Sequence, residues 1–136
     1  MAATIPKPLP AVTNETAPYW EGCKHHELRI QQCAACGCYQ FYPRIYCAQC
    51  FSDRVEWTRA SGHAKVTTFT IVRRPVSPAF ADDVPYVVAL VTLDEGPTMM
   101  TNIIGCPVEQ VVIGMPVAVT FEDWTPDISI PKFRPV

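Results

Sequence analysis

The sequence has no surplus of basic charge. Eleven Lys and Arg stand against thirteen Asp and Glu, for a formal net charge of -2 at pH 7 and a pI near 5.9. That balance argues against a chain that coats phosphate backbones. No apolar run approaches the ~18 residues a membrane-spanning helix needs, so no membrane association is expected. The N-terminal stretch MAATIPKPLPAV lacks the basic-then-apolar order of a secretory signal. A cytoplasmic location is therefore expected, and the sequon Asn14-Glu15-Thr16 is read as chance. There is no glycine-rich phosphate loop before a helix and no GxSxG elbow. Histidine is scarce: His25 and His26 are adjacent, and His63 is the one beyond them. Nothing in the sequence pairs it with a thiol as a nucleophile and its base. Internal repeats are absent too.

What the chain does have is proline and cysteine. Fourteen prolines in 136 residues is roughly twice the ordinary ~5%. Proline removes an N–H donor and clashes with the preceding helical turn, so short strands and rigid loops are favoured over long helices. The length suits one average domain or two small modules. Seven cysteines are an odd number, which excludes a fully paired disulfide scaffold in a monomer. Four of them have metal spacing: Cys33-x-x-Cys36 and, after ten residues, Cys47-x-x-Cys50. A two-residue gap lets both thiolates of a pair turn toward one ion, and two pairs complete a tetrahedron. Gly37 follows the first pair, where a positive φ turns backbone N–H groups toward sulfur. Zinc is expected, with iron as the chemical alternative for the same donors. With four protein ligands the site has no open coordination place, so its work is structural. Cys38 reads as a semi-exposed thiol, and Cys23 and Cys106 as packed ones.

Along the chain, residues 1–15 read as an extended arm. Thr16 is placed to cap a helix from Ala17 to about Glu27, with Pro18 in its first turn. Tyr19, Trp20, Cys23 and Leu28 would form its irregular apolar face; adjacent His25 and His26 point apart and make a poor joint metal site. The link QFYPRIY between the cysteine pairs is β-prone and is expected to form the ribbon's hairpin. Beyond it, residues 64–72, 86–93, 98–104 and 117–122 alternate or carry β-branched runs, and Ile128 to Arg134 supplies a last strand. Asp94-Glu95-Gly96-Pro97 is a turn. Residues 109–113 read as a short helical turn or irregular link. Four or five short antiparallel strands need closure to protect their edges, and a five-stranded OB-type barrel fits. The expected architecture is mainly β: an arm and helix at 1–30, a zinc ribbon at 31–58 and an OB-fold at 59–136.

One set of ordered motifs resembles a known family. Tyr19-Trp20-Glu21-Gly22, Leu28, Cys33-x-x-Cys36-Gly37, Pro43-Arg44, Cys47-x-x-Cys50 and Trp57 occur in the first half. Gly62, Pro85 to Val91, Leu93 to Gly96, Thr101-Asn102-Ile103, Gly114 to Val117 and Pro131 to Pro135 follow in the second. Together they are similar to the DUF35 family over about residues 16–136. Phe51 departs from the pattern, standing where a second-knuckle glycine is frequent, and puts the geometry of that knuckle in doubt; Cys38 is an additional thiol. The resemblance implies a helical N-terminus, a rubredoxin-like zinc ribbon and an OB-fold. It also implies a zinc-containing accessory subunit of a thiolase-type acyl-CoA acyltransferase complex, in which catalytic residues belong to the partner.

For CoA or acyl-CoA, the candidate cations are Arg73 and Arg74 at a strand end and Lys132 and Arg134 near the C-terminus. Arginine forks are suited to phosphate. The aromatic link Phe41 to Tyr46 is alternatively an interface. Two other readings stand beside this one. Nucleic-acid binding occurs on both ribbon and OB folds, although the acidic balance opposes it. A rubredoxin-like electron carrier would need iron in the four-thiol site.

Overall fold

The computed structural model describes residues 6–136, so the first five residues of the expected arm lie outside the described residues. Residues 6–13 of the arm form neither helix nor strand. Lys7 ties the arm to the barrel through an ion pair with Asp83 at 3.1 Å.

Helix α1 spans Ala17–Lys24, with Pro18 in its first turn as expected. It is shorter than the expected helix to Glu27, because His25 leaves helical geometry and His26 is left-handed at φ 59°. Thr16 sits at the N-cap but makes no side-chain cap bond. Its hydroxyl is turned backward instead, accepting the Thr13 N–H at 3.0 Å. The helix buries Tyr19 and Cys23 and packs on two elements from different modules, β1 (Arg29–Cys33) and β8 (Ser129–Pro135).

Strand β1 is the centre of a three-stranded sheet, flanked by β2 (Tyr39–Gln40) and β3 (Val55–Arg59). Both pairings are antiparallel. The expected hairpin inside the QFYPRIY link does not form: only its first residue, Gln40, is in a strand, and residues 41–46 are loop. The Gln31 side chain, 4% exposed, explains how a loop is tolerated there. Its Oε1 accepts the Arg44 N–H and the Gln40 amide, each at 2.8 Å, and its Nε2 donates to the Arg44 carbonyl at 2.9 Å. One buried amide thus supplies the partners that a facing strand would have given the loop backbone.

The remaining strands close a barrel in the order β4-β5-β6-β8-β7. They are β4 (His63–Val72), β5 (Tyr86–Leu93), β6 (Thr98–Ile103), β7 (Pro116–Asp123) and β8. The alternation in sequence is the alternation in burial: Val87, Ala89, Val91 and Leu93 of β5 all point inward. A register shift between Val66 and Thr68 lets β4 bend from its β5 partner toward β7. Strand β8 runs through Pro131, which has no N–H to give. The β6–β8 ladder demands little there, with Ile103 and Phe133 as its one pair, and the Thr101 hydroxyl donates to the Pro131 carbonyl at 3.3 Å. The turn after β5 forms as expected, with Gly96 at φ 114° and its N–H on the Leu93 carbonyl at 2.8 Å.

Helix, ribbon and barrel share one hydrophobic core. Tyr19, Cys23, Leu28 and Ile30 pack in the same cluster as Val66, Val91, Val117 and Phe133. The cluster is reinforced at the surface by His26, whose ring stacks on Phe121 at 5.2 Å and meets Asp123 at 2.8 Å. The hydroxyl of Ser129 donates to the same carboxylate oxygen. These two bonds hold the Asp123 carboxyl below its usual range, Ser129 contributing most. The clip is therefore intact above that depressed value and loosens as acid protonates Asp123. Among the described residues no helix is long and apolar enough to cross a membrane.

Phe133 is the largest fully buried side chain, so its truncation leaves a cavity at the centre of the barrel. Phe133→Ala is expected to lower unfolding free energy by about 3–5 kcal/mol, against about 0.5 kcal/mol or less for exposed Thr70→Ala. Denaturant titration followed by far-UV circular dichroism checks both.

Candidate metal centre

Each cysteine pair is built on the same backbone turn. In the first, the Gly37 N–H donates to the Cys33 carbonyl at 2.8 Å and the Cys33 N–H to the Cys38 carbonyl at 2.9 Å. In the second, the Phe51 N–H donates to the Cys47 carbonyl and the Cys47 N–H to the Ser52 carbonyl, both at 2.9 Å. These turns aim further amides at sulfur. The N–H groups of Ala35 and Cys36 donate to Cys33 Sγ at 3.3 and 3.4 Å, and those of Gln49 and Cys50 to Cys47 Sγ at 3.3 and 3.5 Å.

The two turns face each other. Cys33 Sγ lies 3.6 Å from Cys50 Sγ and Cys36 Sγ 3.6 Å from Cys47 Sγ, and all four sulfurs fall within 4.8 Å of one another. Four sulfurs about 2.3 Å from a central ion in a tetrahedron would stand roughly 3.8 Å apart, so the donor set fits one metal ion. The amide of Cys36, joined by that of Ala35 and opposed by burial, brings the Cys33 thiol down to about 6. The amides of Cys50 and Gln49 likewise lower Cys47. Against the lowering by the Cys38 amide, burial and the sulfurs of Cys47, Cys50 and Cys33 push Cys36 up to about 12. Four crowded sulfurs cannot all carry charge by themselves, and a cation among them removes that conflict.

The doubt that Phe51 cast on the second knuckle has a clear answer. Phe51 takes the left-handed conformation at φ 62°, matching Gly37 at φ 80°. The turn and its hydrogen bonds are kept. A side chain in that conformation costs about 1–2 kcal/mol.

The four cations singled out in the sequence are not brought together. Arg73 and Arg74 are exposed just past the end of β4. Lys132 lines a cavity of about 400 Å³ between the arm, the loop before β5 and the barrel. It is held by Glu122 at 2.9 Å with its side chain 15% exposed. Arg134 is exposed on the outer face of β8, with its Cβ close behind Gly105 at the cavity's edge. The sequence reading missed Lys7, which enters the same cavity from the arm. Lys7 and Lys132 each place Nζ 5.9 Å from the ring centre of Trp124. A second, mostly apolar cavity of about 560 Å³ adjoins it, sharing Phe80, Tyr86, Asn102 and Ile130, and is lined further by Trp20, Tyr42 and Met100.

Comparison with known proteins gives two adjacent family matches, divided within β3. Residues 20–56 match a family model described as "ChsH2, rubredoxin-like zinc ribbon domain", and residues 57–122 one described as "ChsH2, C-terminal OB-fold domain". A DUF35 domain-containing scaffold protein of Methanothermobacter thermautotrophicus is 30% identical over 109 residues, 79% of this chain and 81% of that protein. The chain belongs to the DUF35 family. A solved structure titled "Ltp2-ChsH2(DUF35) aldolase" contains a chain 36% identical to it, with a TM-score of 0.84 over 93% of this chain and 98% of that one. A probable enoyl-CoA hydratase alpha subunit of Thermomonospora curvata is 36% identical over 129 residues, 95% of this chain. The match covers 40% of that subunit, so this DUF35 chain spans about two fifths of its length.

Three further thiols in this DUF35 chain lie apart from the four. Cys23 is buried in the shared core, and burial, against a bond from Tyr19, pushes it up to about 12. Cys106 is half-buried beside the barrel and Cys38 is exposed. Treatment of the native protein with iodoacetamide should modify Cys38 first and leave Cys23 untouched until the protein is unfolded. Cys33, Cys36, Cys47 and Cys50 should react only after a strong chelator is added. Peptide mass spectrometry reads each site, and labelling of these four at the rate of Cys38 without chelator would contradict a metal-held centre.

Proposed function

We propose that this chain is the zinc-containing accessory subunit of a thiolase-type acyl-CoA acyltransferase complex. It supports the catalytic subunit and contributes to the binding of CoA or acyl-CoA during C–C bond cleavage or condensation. The observation that carries this reading is the near-complete match, over 98% of its length, to the DUF35 chain of a structure titled as an aldolase assembly. The name of the hydratase alpha subunit adds a second CoA-related assembly among the relatives.

The chemistry of the chain agrees with a supporting role. Four cysteines fill a tetrahedral site, so an ion bound there has no place for water or substrate and acts by holding the ribbon folded. Zinc supplies that crosslink when bound, through Cys33, Cys36, Cys47 and Cys50. For CoA, the favoured surface is the cavity of Lys7, Lys132 and Trp124. An indole face and two ammonium groups suit an adenine and its phosphates. Glu122 and Asp83 already hold the two lysines, so phosphate must exchange for carboxylate and the gain per lysine is modest. Of the four cations expected from the sequence only Lys132 lines this cavity; Arg134, beside the lining Gly105, and Arg73 and Arg74 line neither cavity.

The test is reconstitution with a thiolase-like catalytic subunit. The two should copurify, and thioester-dependent cleavage or condensation should need both. Within that complex Lys132→Ala should raise the KM for acyl-CoA about threefold, the modest gain left after that exchange, with Arg73→Ala near wild type. Full activity of the catalytic subunit alone, with no binding of this chain to it or to acyl-CoA, would refute the proposal.

A further inference from the structure

We infer that residues 6–12 are a strap over the barrel cavity, latched by Lys7 alone, and that ligand enters when this latch releases. The choice of CoA as that ligand rests on the reading above. Three prolines, Pro6, Pro8 and Pro10, alternate through the segment. Each fixes φ and lacks an N–H. Residues 6–12 are therefore a stiff, extended rod that cannot give a sheet edge a continuous ladder.

The attachment of the rod is confined to one side chain. Among the described residues, no backbone hydrogen bond joins residues 6–12 to the barrel. Lys7 and Pro10 are the two members of the segment that are not exposed. The apolar side chains of Leu9 and Val12 are 53% and 52% exposed, so they contribute little packing. A cavity of about 340 Å³ lies against the rod, lined by Pro6, Lys7, Leu9, Trp124 and Thr125. The rod thus stands off the barrel instead of packing down on it. Its far end is fixed, because the Thr13 carbonyl accepts the N–H groups of Thr16 and Ala17 at 3.1 and 2.8 Å. A rod anchored at Thr13 and held at Lys7 pivots about the first when the second lets go.

Lys7 reaches across the larger cavity. Its ammonium pairs with Asp83 at 3.1 Å and stands 5.7 Å from the ring centre of Phe80 and 5.9 Å from that of Trp124. Phe80 and Asp83 lie between β4 and β5, and Trp124 lies between β7 and β8. One side chain therefore bridges two separate loops that line the same cavity. The ion pair is partly exposed, and pairs of that kind are weak and screened by salt. A weak latch suits a gate. The exchange of Asp83 for phosphate, which CoA binding at Lys7 requires, is the same event as release of the rod.

Two measurements on the full chain test the strap. Acrylamide quenching of Trp124, taken as the difference between each protein and its Trp124→Phe counterpart, needs no ligand. Lys7→Ala and Asp83→Asn should each raise it about twofold or more, by shifting the arm toward its open state. Added salt should raise it in wild type and leave Lys7→Ala unchanged. Stopped-flow binding of CoA should show association about threefold faster in both variants, as the entry-competent fraction grows. If Lys7 were only a phosphate contact, Lys7→Ala would slow association and leave Trp124 quenching unchanged, which would overturn the strap. A lowered melting temperature in both variants would overturn it in favour of an arm that is packed structure. Raised quenching with no binding of CoA, by the chain or by its complex with a catalytic subunit, would support the strap and refute the CoA reading.

Discussion

Four sulfur atoms within 4.8 Å of one another are the constraint on which the ribbon depends. The backbone turns that place them point amide N–H groups at Cys33 and Cys47, stabilising negative charge where it would otherwise be crowded. An ion at the centre converts that crowding into a crosslink between two segments separated by ten residues. The ribbon needs it, because its buried side chains are few: Leu28, Ile30, Gln31, Cys33 and Cys47 between residues 28 and 50. Its sheet has one five-residue central strand and a two-residue edge. A module with so little core commonly relies on a metal for folding.

The same strand connects metal to barrel. Cys33 ends β1, Ile30 of β1 enters the common core, and Leu28 before it packs beside helix α1. The Leu28 carbonyl accepts the Ala60 N–H at 2.7 Å, at the point where the chain leaves the ribbon for the barrel. The His26–Asp123–Ser129 clip crosses the same junction on the surface. The orientation of the ribbon against the barrel is thus set by packing and by named hydrogen bonds. That matters for an accessory role, since a surface offered by the ribbon and a cavity offered by the barrel can be presented together.

The four-cysteine cluster was the most legible part of the sequence, because two C-x-x-C pairs at this spacing can turn their sulfurs toward one centre. The barrel strands were legible for a related reason. A strand buried on one face must alternate, and β5 does so residue by residue. The ribbon's secondary structure was not. Arg29-Ile30-Gln31-Gln32-Cys33 has no clean alternation, and its role as central strand comes from pairing with distant Val55–Arg59. Gln31 reads as an ordinary polar residue, yet its buried amide replaces the hairpin expected in the following link. Lys7 was illegible because its meaning lies in Asp83 and Trp124, far along the chain. Phe51 was visible as a departure from a glycine position, and only the equivalence of the two knuckles shows what that departure costs.

Four cysteines close the site, so the ion they hold acts as a structural crosslink. X-ray absorption at the metal edge of the assembled complex tests it most directly. The account predicts a zinc edge with four sulfur neighbours at about 2.3 Å and no change in that shell when acyl-CoA is added. A mixed sulfur and oxygen or nitrogen shell, one that changes with substrate, or an iron edge in place of zinc, would contradict it.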